Sequence, residues 1–304
     1  MKPKSFIRTD LACECIDTGK RLPDGIRQSK EQVGRVKITR VEISSEEEAK
    51  RLGKACGEYL TFSFGRLSDL EEAEVREVSR VLSEELKKMA ERICGKIADG
   101  NFSVLAAGLG NAKMTPDAIG PEAISKTTVT GHIFRLAPEV FSSLGSCRLY
   151  SVSPGVLGDT GIESLEIIRG AVQSVKPDLV VVIDALAARS FERLAGSVQM
   201  ADVGINPGSG VGNKRKEISQ KTLGVPVIAL GVPTVVDCAT LVCDFLDRAG
   251  LDSESAEFDA LRRDTESFFV APRDSDEVTR RASDLIGDAL DMAFGINRDH
   301  AKYN

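Results

Sequence analysis

Three stretches of the chain are apolar without interruption and then stop abruptly at glycine or aspartate. Phe102 to Ala107 leads into Gly108-Leu109-Gly110-Asn111, Leu179 to Ile183 ends at Asp184, and Val225 to Leu230 ends at Gly231. A strand of this kind has no polar face to turn to water, so it must be covered on both sides. Arg148 to Val152 and Ser197 to Met200 are shorter candidates. Between them, Ile162, Leu165, Ile168, Val172 and Val175 recur at helical spacing, and Leu241 to Arg248 forms a second helical stretch. Strands alternating with helices predict an α/β fold with a mostly parallel sheet flanked by helices.

The N-terminal part reads differently. Arg35 to Ile43 and Tyr59 to Phe64 alternate apolar and polar residues, the signature of half-buried strands. They predict a β-containing appendage to the main sheet. Ser68-Asp69-Leu70-Glu71 has the form of a capping box. It would open a helix with Val75, Val78, Leu82, Leu86, Met89, Ile93 and Ile97 on one stripe, closed by Gly100. Residues 251–274 read as a polar excursion. Ser275 to Phe294 is a final amphipathic helix with Val278, Leu285, Ile286 and Leu290 on one face. A length of 304 residues suffices for one large domain.

Counts of rare residues narrow the chemistry. There are two histidines, His132 and His300, and the second lies near the terminus. A histidine triad or a multi-histidine zinc site has at most one well-placed candidate, and a lone His132 is more often structural. Seven cysteines at irregular spacing, with no CxxC pair, fit neither a zinc cage nor a disulfide framework. The polar start MKPKSFIRTDLACEC is not a signal peptide, and no run approaches the ~18 apolar residues of a membrane span. We expect a reduced, cytoplasmic protein with no membrane partner. A net charge of −6 argues against a direct nucleic-acid binder.

In an open parallel sheet, ligands gather at the carboxyl ends of the strands. Asp117, just beyond Gly108-Leu109-Gly110-Asn111, and Asp184 are both placed there, while Asp237 is less directly placed. A single such aspartate is more often a helix cap or a turn residue. A pair can push its pKa values apart, so that one holds a proton while the other acts as base. Such a pair activates water without metal, cofactor or histidine. Asn206-Pro207-Gly208-Ser209-Gly210-Val211-Gly212-Asn213-Lys214-Arg215 is the richest glycine run. It fits neither the Walker loop nor the dinucleotide fingerprint. A close-packed loop, a peptide-binding edge and, last, a nucleotide site remain open readings.

Together these segments resemble the germination protease family of spore-forming bacteria. The resemblance is carried by Arg8-Thr9-Asp10-Leu11-Ala12, Gly108-Leu109-Gly110-Asn111, Thr115-Pro116-Asp117-Ala118-Ile119-Gly120-Pro121 and Pro154 to Glu163. It continues through Lys176-Pro177-Asp178, Ile183-Asp184-Ala185-Leu186-Ala187, Pro207 to Asn213, and Leu223 to Asp237, spanning residues 8 to 295. It implies an endopeptidase with an α/β fold similar to that of the hydrogenase-maturation proteases. It further implies a homotetramer in the spore core, made as a zymogen, that degrades small acid-soluble spore proteins.

The family's catalytic aspartates fall on Asp117 and Asp184, with the acid and base roles unassigned. The family cuts acidic-apolar-Ala-x-acidic sequences, and Asp10-Leu11-Ala12-Cys13-Glu14 has that form. Self-cleavage is therefore expected between Asp10 and Leu11. Residues 1–10 would be a propeptide and 11–304 a single protease domain. Arg189, Lys214 and Arg215 are candidate partners for acidic substrate side chains. Gly131 stands where the family often has arginine, which weakens any role for His132. Cys13 and Cys15 lie in the cleavage segment and raise the question of redox sensitivity. The alternatives are a peptide-binding α/β module without catalysis and a nucleotide-binding enzyme using residues 208–215.

Overall fold

A computed structural model describes residues 8–16, 21–208, 215–253, 265 and 268–295. Its strands are β1 (Ile26–Val33), β2 (Val36–Ile43), β3 (Gly57–Ser63), β4 (Ser103–Gly108), β5 (Arg148–Val152), β6 (Leu179–Ala188), β7 (Ser197–Ala201), β8 (Val227–Asp237) and β9 (Phe269–Val270). They form one sheet in the order β1-β2-β3-β7-β8-β6-β4-β5, with β9 also paired to β8. The pairings among β4, β5, β6 and β8 are parallel. β7 is antiparallel to both β8 and β3, so the half-buried N-terminal strands extend the same sheet. The α/β fold is as expected, and the sheet is mixed.

Side chains of the fully apolar strands divide between two faces with period two. Val104, Ala106, Leu179, Val181 and Ile183 join one core, with Leu82 and Leu86 of helix Glu72–Cys94 and Leu285 and Leu290 of helix Ser275–Phe294. Leu105, Ala107, Val180 and Val182 join another, with Leu165, Ile168 and Val172 of helix Ser164–Val175. A third cluster gathers Leu11, Ala12 and Cys13 against Val41, Tyr59, Leu186 and Val236. The N-terminal segment is thus part of the core and lies on the face that also carries Asp184.

Two helix boundaries differ from the sequence reading. Residues Leu67–Asp69 form a 3-10 turn, and the reciprocal capping box is made by Glu71 and Glu74. The helix stops at Cys94 because Gly95 takes a left-handed conformation (φ 63°). Ile97 consequently leaves the stripe and is 74% exposed. No described helix is long and apolar enough to cross a membrane.

Candidate active site

Asp184 owes its setting to the length of its neighbour. β4 ends at Gly108, opposite Ile183, while β6 continues to Ala188. Asp184 is therefore the first residue of β6 with no β4 partner. Leu109 N–H still donates to the Ile183 carbonyl at 2.8 Å, after which the chain turns at Gly110 (φ 111°). The 3-10 turn Thr115–Asp117 and helix Ile119–Lys126 then fold back over the strand ends. Gly120 makes this possible. A Cβ there would lie 2.2 Å from the Leu109 carbonyl oxygen and 2.7 Å from that of Ile183. Thr279 Oγ1 donates to the Thr115 carbonyl at 2.9 Å, tying the turn to the last helix.

The two carboxyl groups that meet here differ in environment. Asp117 accepts a 2.8 Å hydrogen bond from Asn111 N–H. Burial raises its pKa, and that bond works in the opposite direction. Asp184 is 6% exposed, and its Oδ1 accepts only the N–H of Ala185 at 3.0 Å among the bonds described. Burial pushes its carboxyl well above the ordinary range, and the negative charges of Asp117 and then Asp10 push it further. Burial and like charge both oppose ionisation of Asp184. Asp237, by contrast, is a helix cap. Its Oδ1 accepts from Thr240 N–H and Oγ1, each at 2.9 Å, and Arg8 pairs with its Oδ2 at 3.5 Å.

The segment Asp10–Glu14 lies across the same strand ends. Asp10 N–H donates to the Ala187 carbonyl, and Ala187 N–H returns a bond to the Asp10 carboxylate, both at 2.9 Å. Leu11 is fully buried. That is worth roughly 1.5–3 kcal/mol, about the cost of fixing one or two residues of backbone. The hydrogen bonds are therefore needed to hold the rest. Lys54 Nζ donates to the Thr9 carbonyl at 3.0 Å. A cavity of about 460 Å³ opens beside Asp10, Leu186 and Gln199, and carries the cations Lys54, Arg215 and Lys221.

The other sequence candidates are placed as follows. The Arg189 guanidinium turns to Asp244 (3.8 Å) and Asp247 (3.5 Å), while its backbone N–H donates to Glu14. Arg215 lines the cavity, whereas Lys214 and Ser209 to Asn213 lie outside the described residues, as do residues 1–7 and His300. His132 is exposed on helix Gly131–Leu136, which packs by the edge strand β5. Burial raises the thiols of Cys13 and Cys15, which disfavours the reactive thiolate. Among the described residues, no group of three His, Cys, Asp or Glu is set as metal ligands. Sequence reasoning missed Gln199, Arg193 and Lys54. Lys54 is remote in sequence from both aspartates, Arg193 and Gln199 lie in the two elements that follow β6, and no local pattern marks any of the three.

An α/β sheet that presents two unequal, neighbouring carboxyl groups where one strand stops short defines a class: a candidate hydrolytic site of the aspartate-pair kind. A family model described as germination protease matches residues 12–252. The germination protease of Clostridium acetobutylicum is 38% identical, over 95% of this chain and 95% of its own length. That of Clostridium perfringens is 37% identical over 96% of each chain. That of Caldanaerobacter subterraneus is 45% identical, over 79% of this chain and 72% of its own. The chain belongs to the germination protease family, and it is a protease.

Proposed function

We propose that this protease hydrolyses small acid-soluble spore proteins during germination by water activation between Asp117 and Asp184. The observation that carries the reading is the inequality of the pair, one carboxyl hydrogen-bonded by Asn111 N–H and the other buried beside two negative charges. Asp117, ionised, takes a proton from water as the water oxygen bonds to the peptide carbonyl carbon. Asp184 gives its proton to the carbonyl oxygen. Asp117 then passes its proton to the nitrogen as the C–N bond breaks, and a hydroxyl proton returns to Asp184. One water is consumed, and both carboxyl groups regain their starting states.

The reading extends to maturation and location. The protein is made as a zymogen, processed between Asp10 and Leu11, and works as a homotetramer in the spore core. The seating of residues 10–14 beside Asp184 supports the processing step. Arg215 and Lys221 on the cavity wall are suited to acidic substrate side chains, and Lys214 belongs to the same proposed set. N-terminal sequencing of active protein is expected to read Leu-Ala-Cys-Glu. A fully active chain that still begins before Asp10 would remove the maturation step.

The function itself is tested by incubating the protein with a small acid-soluble spore protein and identifying fragments by mass spectrometry. Wild type should cut within acidic-apolar-Ala-x-acidic segments. Asp117→Asn should cut at least about a hundredfold more slowly, the usual contribution of a positioned acid or base. Near-wild-type turnover in that variant sinks the two-aspartate mechanism.

A further inference from the structure

The carboxylate of Glu14 occupies a cradle that packing alone does not require. Its side chain is 6% exposed. It accepts the N–H of Arg189 at 2.7 Å and that of Ser190 at 3.1 Å, the Arg193 guanidinium stands behind it at 3.9 Å, and Thr9 Oγ1 of its own segment also donates to it at 2.5 Å. Arg193 is itself held by a 2.8 Å bond to Ser63 Oγ. On the other side of Leu11, one side chain clamps the main chain. Gln199 Nε2 donates to the Asp10 carbonyl at 3.0 Å, and its Oε1 accepts Ala12 N–H at 2.7 Å.

These contacts have the character of recognition. A primary amide that meets one carbonyl and one N–H reads backbone irrespective of side chain. Two backbone N–H groups with a guanidinium behind them read a carboxylate. An uncharged amide there would forfeit the charge-assisted part of the bonding and set its own N–H donors against other donors. Leu11 and Ala12, both buried between the two devices, fix the spacing from Asp10 to Glu14.

We propose that Gln199 and the cradle of Arg189 N–H, Ser190 N–H and Arg193 are substrate subsites. In this structure the chain's own residues 10–14 fill them. They accept a peptide that takes the 3-10 turn of Ala12–Glu14, with an acidic residue four positions beyond the acid that precedes its cut, matching Asp10 and Glu14. The inference rests on the proteolytic reading above and adds to it the groups that read the second acid. It also makes the tethered segment a competitor of substrate, released as Glu14 loses its hold.

The test uses the full chain carrying Asp184→Asn, so that nothing is cut, and fluorescently labelled peptides containing Asp-Leu-Ala-Ser-Glu or Asp-Leu-Ala-Ser-Gln. Anisotropy should show the Glu peptide binding about tenfold tighter or more, as charge-assisted hydrogen bonds warrant. Adding Arg193→Met should cut that ratio to about threefold or less, and Arg193→Lys should restore most of it. Adding Glu14→Gln should tighten the Glu peptide several-fold, because the tethered competitor is weakened. Equal binding of the two peptides overturns the assignment, and this comparison needs no change within the proposed subsites. Undiminished discrimination in Arg193→Met, or no tightening in Glu14→Gln, overturns it as well. A wild-type chain that discriminates in this way yet cleaves neither peptide would remove the proteolytic reading and leave the subsites standing.

Discussion

Asp184→Asn should abolish proteolysis and, at the same time, make the folded chain more stable at neutral pH. The loss in turnover is expected at about 10²–10⁴-fold, the contribution of a positioned general acid. The gain in stability follows from the raised pKa of the Asp184 carboxyl, which burial, Asp117 and Asp10 together impose. The folded state holds this proton at pH values where the unfolded chain has released it. Folded protein then binds more protons than unfolded protein, so stability falls as pH rises from the ordinary carboxylate value, about 4, to the raised one. Above that the effect is constant. An asparagine of similar shape carries no such penalty. Thermal unfolding of both proteins across pH should show their melting temperatures close near pH 4 and the variant higher at neutral pH. Parallel curves, or a variant less stable at pH 7, would show that Asp184 is not held protonated.

Gly120→Ala should disable the site without touching a titratable group. A methyl at Gly120 would meet the backbone N and O of Leu109 and the carbonyl of Ile183, none of which is a flexible side-chain end. The 3-10 turn Thr115–Asp117 and helix Ile119–Lys126 would have to lift from the strand ends. Overpacking of this kind costs typically 1–3 kcal/mol, and a shift of about 1 Å in a reacting group costs about a hundredfold in rate. Activity should fall by about that factor, with a melting temperature lower by several degrees. Gly170→Ala is the control. It lies within helix Ser164–Val175 with nothing within 4 Å of the added carbon. There alanine should stabilise by up to about 1 kcal/mol and leave activity unchanged. Full activity in Gly120→Ala would mean that Asp117 does not depend on this close approach.

Legibility followed burial. The strands that became β4, β6 and β8 are apolar on both faces, and they were readable because helices cover both sides. β1 was missed because it is an edge strand whose residues are largely exposed. A strand with water on most of its surface carries no hydrophobic alternation to read. The helix start was misplaced because Ser68 and Glu71 both satisfy a capping pattern. Only the 3-10 turn Leu67–Asp69, packed against the last helix, separates the two. Ser197 to Met200 was legible as a strand. Its antiparallel pairing, which joins the N-terminal strands to the central sheet, was not.

The site divides in the same way. Asp117 and Asp184 could be named from the chain alone, because an aspartate that ends an apolar strand or follows its glycine turn is a local pattern. Their inequality could not, since it depends on β4 stopping opposite Ile183 and on Asp10 arriving from a distant segment. Asp237 illustrates the converse: the same local pattern produced a helix cap held by Thr240. Arg193 and Gln199 carry no local signal at all. Sequence by itself determined that covered strands would form here and which carboxylates would stand at their ends, because side-chain alternation and turn chemistry are local. Tertiary structure alone decided how unequal the surroundings of the two carboxyl groups are and what lies across the strand ends. Strand order, strand length and the seating of residues 10–14 are settled by packing between segments far apart in the chain.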